Sequence, residues 1–311
     1  MAKTAFLFPG QGSQSVGMAS HLAGRPAAES LLARLDELAS APGLLSLVNE
    51  GPEELLTRTD NVQPAITAVS LAILAVLEEA GVEESAAAGN SLGEYPALVA
   101  AGVLSPGDAL SLTRIRGVLM QQCADRHPGG MAALIGATRE MADAAVAAAQ
   151  ESGPIGIANI NSEGQIVLSG STAAVEAASL AARASGVRRV IPLKVSGAWH
   201  SPLMREAAEG LARALDRVPF GDPAIPVMAN VTADFTGSGA EARSLLIGQV
   251  TSPVLWAASM RRLVGQGYDT FVEVGPGSVL QGLMKGFEGI RLFGTSTAES
   301  LEETIGVLSG A

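Results

Sequence analysis

Gly89-Asn90-Ser91-Leu92-Gly93 constrains this chain more than any other stretch. The pattern G-x-S-x-G fits a sharp turn that presents a serine between a strand and a helix. A residue held in such a turn leaves little room for neighbouring side chains, and glycine tolerates backbone angles that other residues avoid. The flanks agree: Ala86-Ala87-Ala88 is a short apolar lead-in, and Glu94 to Ala101 reads as helix. The chain holds 36 glycines, so the pattern alone does not separate a nucleophile from a loop serine. The decision falls to the rest of the sequence.

Around this turn, strand and helix patterns alternate. Thr4 to Phe8 reads as a strand running into the loop Pro9-Gly10-Gln11-Gly12-Ser13-Gln14. Ile66, Val69, Ile73, Leu74 and Leu77 recur at helical spacing, which predicts a helix over Pro64 to Ala80 capped by Asp60 or Asn61, with Gly81 past its end. Ser105-Pro106-Gly107-Asp108 opens another helix through Gln122. This alternation indicates an α/β domain with a mostly parallel sheet. Near Asp125 the pattern changes. Strands at Met131–Gly136, Ile155–Ile160, Gln165–Leu168 and Arg188–Val195, with helices at Thr138–Glu151 and Thr172–Ala184, give the order β-α-β-β-α-β of a ferredoxin-like unit. An α/β pattern then resumes, with strands at Ile225–Asn230 and Thr270–Val274. The expected division is therefore residues 1–124 and 196–311 as one domain, with residues 125–195 inserted. A length of 311 residues with 48% hydrophobic content is ample for one large or two modest cores.

Bulk properties narrow the function classes. A net charge of −11 argues against a general nucleic-acid binder. The apolar start is broken at Pro9, too early for a signal peptide. Pro64 to Leu77 falls short of the roughly 20 residues of a spanning helix. The lone Cys123 cannot form an internal disulfide and reads as a structural thiol in a reducing compartment. The expectation is a cytoplasmic protein.

A serine hydroxyl needs a base to take its proton. Of the three histidines, His21 reads as part of a polar early helix and His127 as a loop residue, both solvated. His200, in Ser196-Gly197-Ala198-Trp199-His200-Ser201-Pro202, follows the last strand of the insertion and is the candidate base. Asp108, Asp125 and Asp143 lie between Ser91 and His200, at a helix start, in a loop and within a helix; none is an obvious third member of a triad. A backbone carbonyl could orient the imidazole instead, since orientation needs only an acceptor for the second N–H.

Phe8 to Gln14, the Ser91 turn extended to Glu94, Arg116-Gly117 and Gly197-Ala198-Trp199-His200-Ser201 occur in this order. Together they resemble the malonyl-CoA:acyl carrier protein transacylases, including the discrete trans-acting acyltransferases of polyketide synthesis. The resemblance spans nearly the whole chain. It implies an α/β-hydrolase-like domain carrying an inserted ferredoxin-like subdomain, in agreement with the pattern above. It also implies roles: Ser91 as the acylated nucleophile, His200 as its base, the backbone N–H groups of Gln11 and Leu92 as oxyanion donors, and Gln249 as support for the imidazole, oriented through backbone carbonyl oxygen.

By the same resemblance Arg116 grips the free carboxylate that distinguishes malonyl from acetyl, a task suited to a guanidinium fork. Arg114 is two residues away and points elsewhere on a helix. Trp199 replaces the family's usual phenylalanine and should crowd any substituent on the malonyl α-carbon, favouring malonyl over methylmalonyl. Asn90 departs from the histidine that most relatives carry before the serine; asparagine hydrogen-bonds but carries no proton near neutral pH. The implied partners are malonyl-CoA and an acyl carrier protein, the latter docking on basic residues such as Arg188, Arg189, Lys194 and Lys285. No metal or bound cofactor is required by this chemistry. Two alternatives stay open: an acyl-thioester hydrolase using Ser91 and His200 with water as acceptor, and a non-catalytic carrier-protein-binding subunit.

Overall fold

The computed structural model describes residues 3–310. Its strands among these residues are β1 (Thr4–Phe8), β2 (Ala86–Gly89), β3 (Gly129–Ile135), β4 (Ile155–Ser162), β5 (Gln165–Ser171), β6 (Arg189–Pro192), β7 (Val227–Met228), β8 (Thr270–Glu273) and β9 (Arg291–Gly294). They form two separate sheets. One has the order β7-β2-β1-β8-β9 and is parallel throughout. The other has the order β4-β5-β3-β6 and is antiparallel.

The parallel sheet is covered on both faces, and its central strands read accordingly as unbroken apolar runs. Ala5, Phe6, Leu7 and Phe8 of β1 and Ala86, Ala87 and Ala88 of β2 are all buried. Phe8 pairs with Gly89, so β1 and β2 end level. The loop after β1 and the turn after β2 thus leave the sheet side by side at its C-terminal edge, where open α/β sheets hold their ligands.

The antiparallel sheet follows the predicted β-α-β-β-α-β order, with helices Arg139–Ala149 and Thr172–Ala184. Period-2 alternation divides its side chains between two cores. Ala132 and Leu134 of β3, with Ile166 and Leu168 of β5, pack with the two helices. Met131, Ala133 and Val167 face the other way and join the main core. Two backbone bonds of 2.9 Å, Ile160 N–H to Val254 C=O and Val254 N–H to Ala158 C=O, tie β4 to the segment after Gln249. The small sheet is thereby fixed over the C-terminal edge of the large one.

Two expected boundaries are corrected. The helix expected from Pro64 runs from Thr59 to Glu79, with Pro64 inside it and no side-chain cap at its start. A proline within a helix deprives the carbonyl four residues earlier of its N–H partner. That carbonyl belongs to Asp60, and it accepts a hydrogen bond from Arg114 instead. The helix is therefore longer than predicted, and with a mean hydropathy of 1.5 it is long and apolar enough to cross a membrane, yet 83% of its most apolar window is buried inside the protein. The strand expected over Ile225–Asn230 shrinks to two residues, and β9 adds an edge that the sequence reading lacked. Helix Pro106–Arg126 begins as predicted, with Ser105 Oγ accepting the Asp108 N–H at 3.1 Å.

Two glycines allow the loop after β1 to abut the serine turn. A Cβ on Gly93 would stand 2.0 Å from the Phe8 carbonyl oxygen, and one on Gly10 would stand 2.5 Å from the Asn90 carbonyl oxygen. Both obstacles are backbone, so neither can yield by a rotamer change. Gly93→Ala is expected to destabilise the fold by at least about 3 kcal/mol, beyond the range of ordinary substitutions. Urea denaturation measures this; a loss under about 1 kcal/mol would mean that the turn and loop are not locked together.

Candidate active site

Ser91 lies in the short turn Ser91–Gly93 between β2 and helix Glu94–Ala100, as the motif requires. Its φ is 52°, in the left-handed region. Asn230, just beyond β7, holds that conformation from the neighbouring edge of the sheet. Its Oδ1 accepts the Ser91 N–H at 2.6 Å and its Nδ2 donates to the Gly89 carbonyl at 2.6 Å. The serine Oγ is thereby aimed out of the turn.

His200 also has a positive φ, 57°. The next residue anchors it: Ser201 Oγ donates to the Ala198 carbonyl at 2.6 Å and caps the short helix Pro202–Met204. The imidazole Nε2 is 2.7 Å from Ser91 Oγ, and Nδ1 is 2.8 Å from the Gln249 backbone carbonyl. A carbonyl accepts only, so Nδ1 carries the hydrogen and Nε2 presents its lone pair to the serine. No carboxylate stands in the orienting position. Burial, and then the charge of Arg116, lower the His200 pKa to about 4, with the Gln249 carbonyl pulling the other way.

Arg116 comes from helix Pro106–Arg126 and is only 2% exposed. Its Nη1 donates to Gln63 Oε1 at 2.8 Å; its Nη2 donates to Ser91 Oγ at 3.1 Å and to Gln249 Oε1 at 3.0 Å. The Tyr95 ring lies 5.9 Å from the guanidinium carbon. Arg114 turns away to the Asp60 carbonyl and Asn61, as its spacing predicts. Gln249 Nε2 donates to the Ser91 carbonyl at 2.9 Å and to Glu94 Oε2 at 2.7 Å. Burial, partly offset by these hydrogen bonds, pushes the Glu94 carboxyl up to about 7.

A cavity of about 220 Å³ opens on these groups, and Gln11, Leu92, Asn90 and Trp199 share its wall with Ser91, Arg116 and His200. All eight residues singled out around the serine chemistry thus meet in one place once Gln249, behind Arg116 and His200, is counted. Trp199 is buried, with its ring over Gly197. Arg188, Arg189, Lys194 and Lys285 are exposed and lie outside this cavity. The other histidines stand apart. His127 meets Glu206 at the surface. His21, expected to be solvated in a helix, is half-buried on a short turn with Nε2 3.0 Å from the Thr295 carbonyl. Cys123 is buried within its helix, and burial raises its pKa.

Sequence reasoning assigned no role to Asn230, Glu94 or Gln63. Gln63 left a trace, a lone amide in the otherwise apolar Val62-Gln63-Pro64-Ala65-Ile66. Glu94 sits within the quoted motif, whereas Asn230 is joined to Ser91 only by the fold.

The family model for an acyl transferase domain matches residues 5–300. The chain belongs to the acyl transferase family. Within it, the malonyl CoA-acyl carrier protein transacylase of Bacillus subtilis is 43% identical over 311 residues, covering 99% of this chain and 98% of the relative. The protein of the same description from Escherichia coli K12 is 40% identical over 307 residues, covering 97% of each. Among solved structures, the malonyl-CoA:acyl carrier protein transacylase of Xanthomonas oryzae superposes with a TM-score of 0.95 at 38% identity over 99% of both chains. A malonyl-transacylase solved in complex with a type II polyketide synthase acyl-carrier protein gives 0.94 at 37% identity, over 98% of this chain and 100% of that one.

The buried imidazole makes a prediction independent of any reaction. In an NMR titration of ring-labelled histidine, His200 should remain neutral down to acid pH and titrate near about 4 rather than at 6.5. A midpoint at 6.5 would place the ring in contact with bulk water.

Proposed function

We propose that this acyl transferase moves malonyl from malonyl-CoA to the phosphopantetheine thiol of an acyl carrier protein, for fatty acid or polyketide synthesis. The observation that carries the reading is Arg116, a buried cation whose Nη2 donates to the same serine oxygen that His200 deprotonates. A site for a simple uncharged acyl group has no need of such a cation. A site for an acyl group ending in a carboxylate does.

The neutral His200 Nε2 takes the Ser91 Oγ proton while Oγ attacks the thioester carbonyl. The carbonyl oxygen becomes an oxyanion facing the Gln11 and Leu92 N–H groups, each such donor commonly contributing ~3 kcal/mol. Collapse breaks the C–S bond, and the imidazolium returns its proton to the departing CoA sulfur. Malonyl remains on Ser91 as an ester. The carrier-protein thiol then gives its proton to His200, its sulfur attacks the ester, and Oγ leaves as the hydroxyl is restored. In between, the malonyl carboxylate exchanges for the Ser91 and Gln249 oxygens now held by Arg116. These steps use only side chains and backbone of the chain itself and require neither metal nor bound cofactor.

Trp199 fills the wall beside His200, where a methyl on the malonyl α-carbon would press. Asn90 donates its N–H to the Phe8 carbonyl at 3.0 Å, and this backbone bond needs no particular side chain. The exposed Arg188, Arg189, Lys194 and Lys285 offer local positive charge for docking an acidic carrier protein despite the net charge of −11. The substrates and the lone, reduced cysteine accord with a cytoplasmic location.

Transfer assays with three donors test the assignment. Arg116→Ala should lower kcat/KM for malonyl-CoA on the order of 10²–10³-fold, the worth of two hydrogen bonds to a charged group, and affect acetyl-CoA far less. The unsubstituted enzyme should prefer malonyl-CoA over methylmalonyl-CoA. Equal losses for malonyl and acetyl would remove Arg116 as the carboxylate site, and comparable malonyl and methylmalonyl rates would remove Trp199 as a filter.

A further inference from the structure

Glu94 touches neither reacting side chain, yet two supports of the site meet on one of its oxygens. Oε2 accepts the Gln249 Nε2–H at 2.7 Å and the Asn230 backbone N–H at 3.2 Å. From Gln249 the chain of contacts runs to the base and the cation: its carbonyl takes His200 Nδ1, its Oε1 takes Arg116 Nη2, and its Nε2 also reaches the Ser91 carbonyl. From Asn230 it runs to the nucleophile, through the paired bonds to the Ser91 N–H and the Gly89 carbonyl. Glu94 is 2% exposed, so water cannot replace it as the acceptor.

We propose that Glu94 is a positioning residue for nucleophile and base together, and that it acts through the shared acceptor oxygen rather than through its charge. The inference rests on the reading of Ser91 and His200 given above. Ser91 is held in a left-handed conformation that disfavours a residue with a Cβ. Asn230 maintains it only while its own backbone is fixed, and Glu94 fixes that backbone. Gln249 offers two groups to the site from one side chain, and Glu94 Oε2 decides which way its amide faces. Without that oxygen, two buried donors lose an acceptor, an unfavourable state where water cannot take its place. Rotation of Gln249 and drift of Asn230 satisfy them at the expense of the Ser91–His200 geometry. The carboxyl is held up at about 7, so a substantial fraction is uncharged at neutral pH, which suits a role that needs an acceptor rather than a full charge.

The test compares E94A, E94Q and N230A in the malonyl transfer assay, with S91A alongside and kcat referred to folded protein. E94Q keeps an amide oxygen where Oε2 stands; E94A removes it. E94A should lose about 10²-fold in kcat with KM changed by less than about 3-fold, the pattern of lost alignment. E94Q should recover at least about tenfold of that loss, since its amide oxygen restores the shared acceptor. N230A keeps its backbone N–H to Glu94 but frees Ser91, and should lose kcat to a similar extent; it carries the test if E94A does not fold. Unchanged kcat in E94A or in N230A overturns the proposal. So does E94Q as slow as E94A, or slower than the unsubstituted enzyme by about 10²-fold, because the charge would then be the working feature. Malonyl transfer by S91A would instead overturn the nucleophile assignment itself.

Discussion

The left-handed backbone at Ser91 is the constraint around which the rest of the molecule is arranged. An L-residue adopts φ near 52° only under compulsion, and here it comes from several directions. β2 delivers the chain to the turn in register with β1. Gly93 lets the loop after β1 close over the turn, and Asn230, just beyond β7, grips Gly89 and Ser91 on either side of Asn90. His200, itself at a positive φ, meets the serine from the segment that returns out of the small antiparallel sheet. The nucleophile and base thus come from different segments, Ser91 held by the Asn230 side chain and His200 by the Gln249 carbonyl and the Ser201 cap.

Electrostatics complete what geometry begins. Arg116 is a buried cation surrounded chiefly by neutral acceptors: two glutamine oxygens, a serine oxygen and an aromatic face. A buried charge is costly unless paired, so Arg116 favours an anion at that point. Burial, joined by the same positive charge, keeps His200 unprotonated and ready to accept a proton. The imidazole is oriented by a backbone carbonyl rather than an acid, and Arg116 is the only cation in the cavity wall among the described residues.

Local patterns made much of this legible. The Ser91 turn, its flanking strand and helix, and the β-α-β-β-α-β unit follow from periodicity and glycine placement. Helix Thr172–Ala184 matched at both ends because Ser171 caps it and Gly186 follows. His200 was a candidate from its place after the insertion's last strand, whereas Arg116 became visible only when its motif was read together with the serine turn. The helix start at Thr59 was hidden because Pro64 is tolerated through Arg114, a residue fifty positions away whose partner no local pattern shows. β9 is a short edge strand, only partly buried, and lacks the apolar run of the central strands. His21 looked solvated because its carbonyl partner, Thr295, lies at the far end of the chain. Glu94 and Asn230 follow the same rule: their work is done by hydrogen bonds across 136 or more residues, which leave no periodic trace.

The central claim is that Ser91 carries the malonyl group between donor and acceptor. Intact-mass measurement after mixing with malonyl-CoA, followed by peptide mapping, addresses it directly. The account predicts one malonyl adduct on Ser91, absent in Ser91→Ala, stable against water over the assay and discharged on addition of carrier protein bearing its phosphopantetheine. No adduct, an adduct elsewhere, or loss to water as fast as to the carrier protein would contradict it.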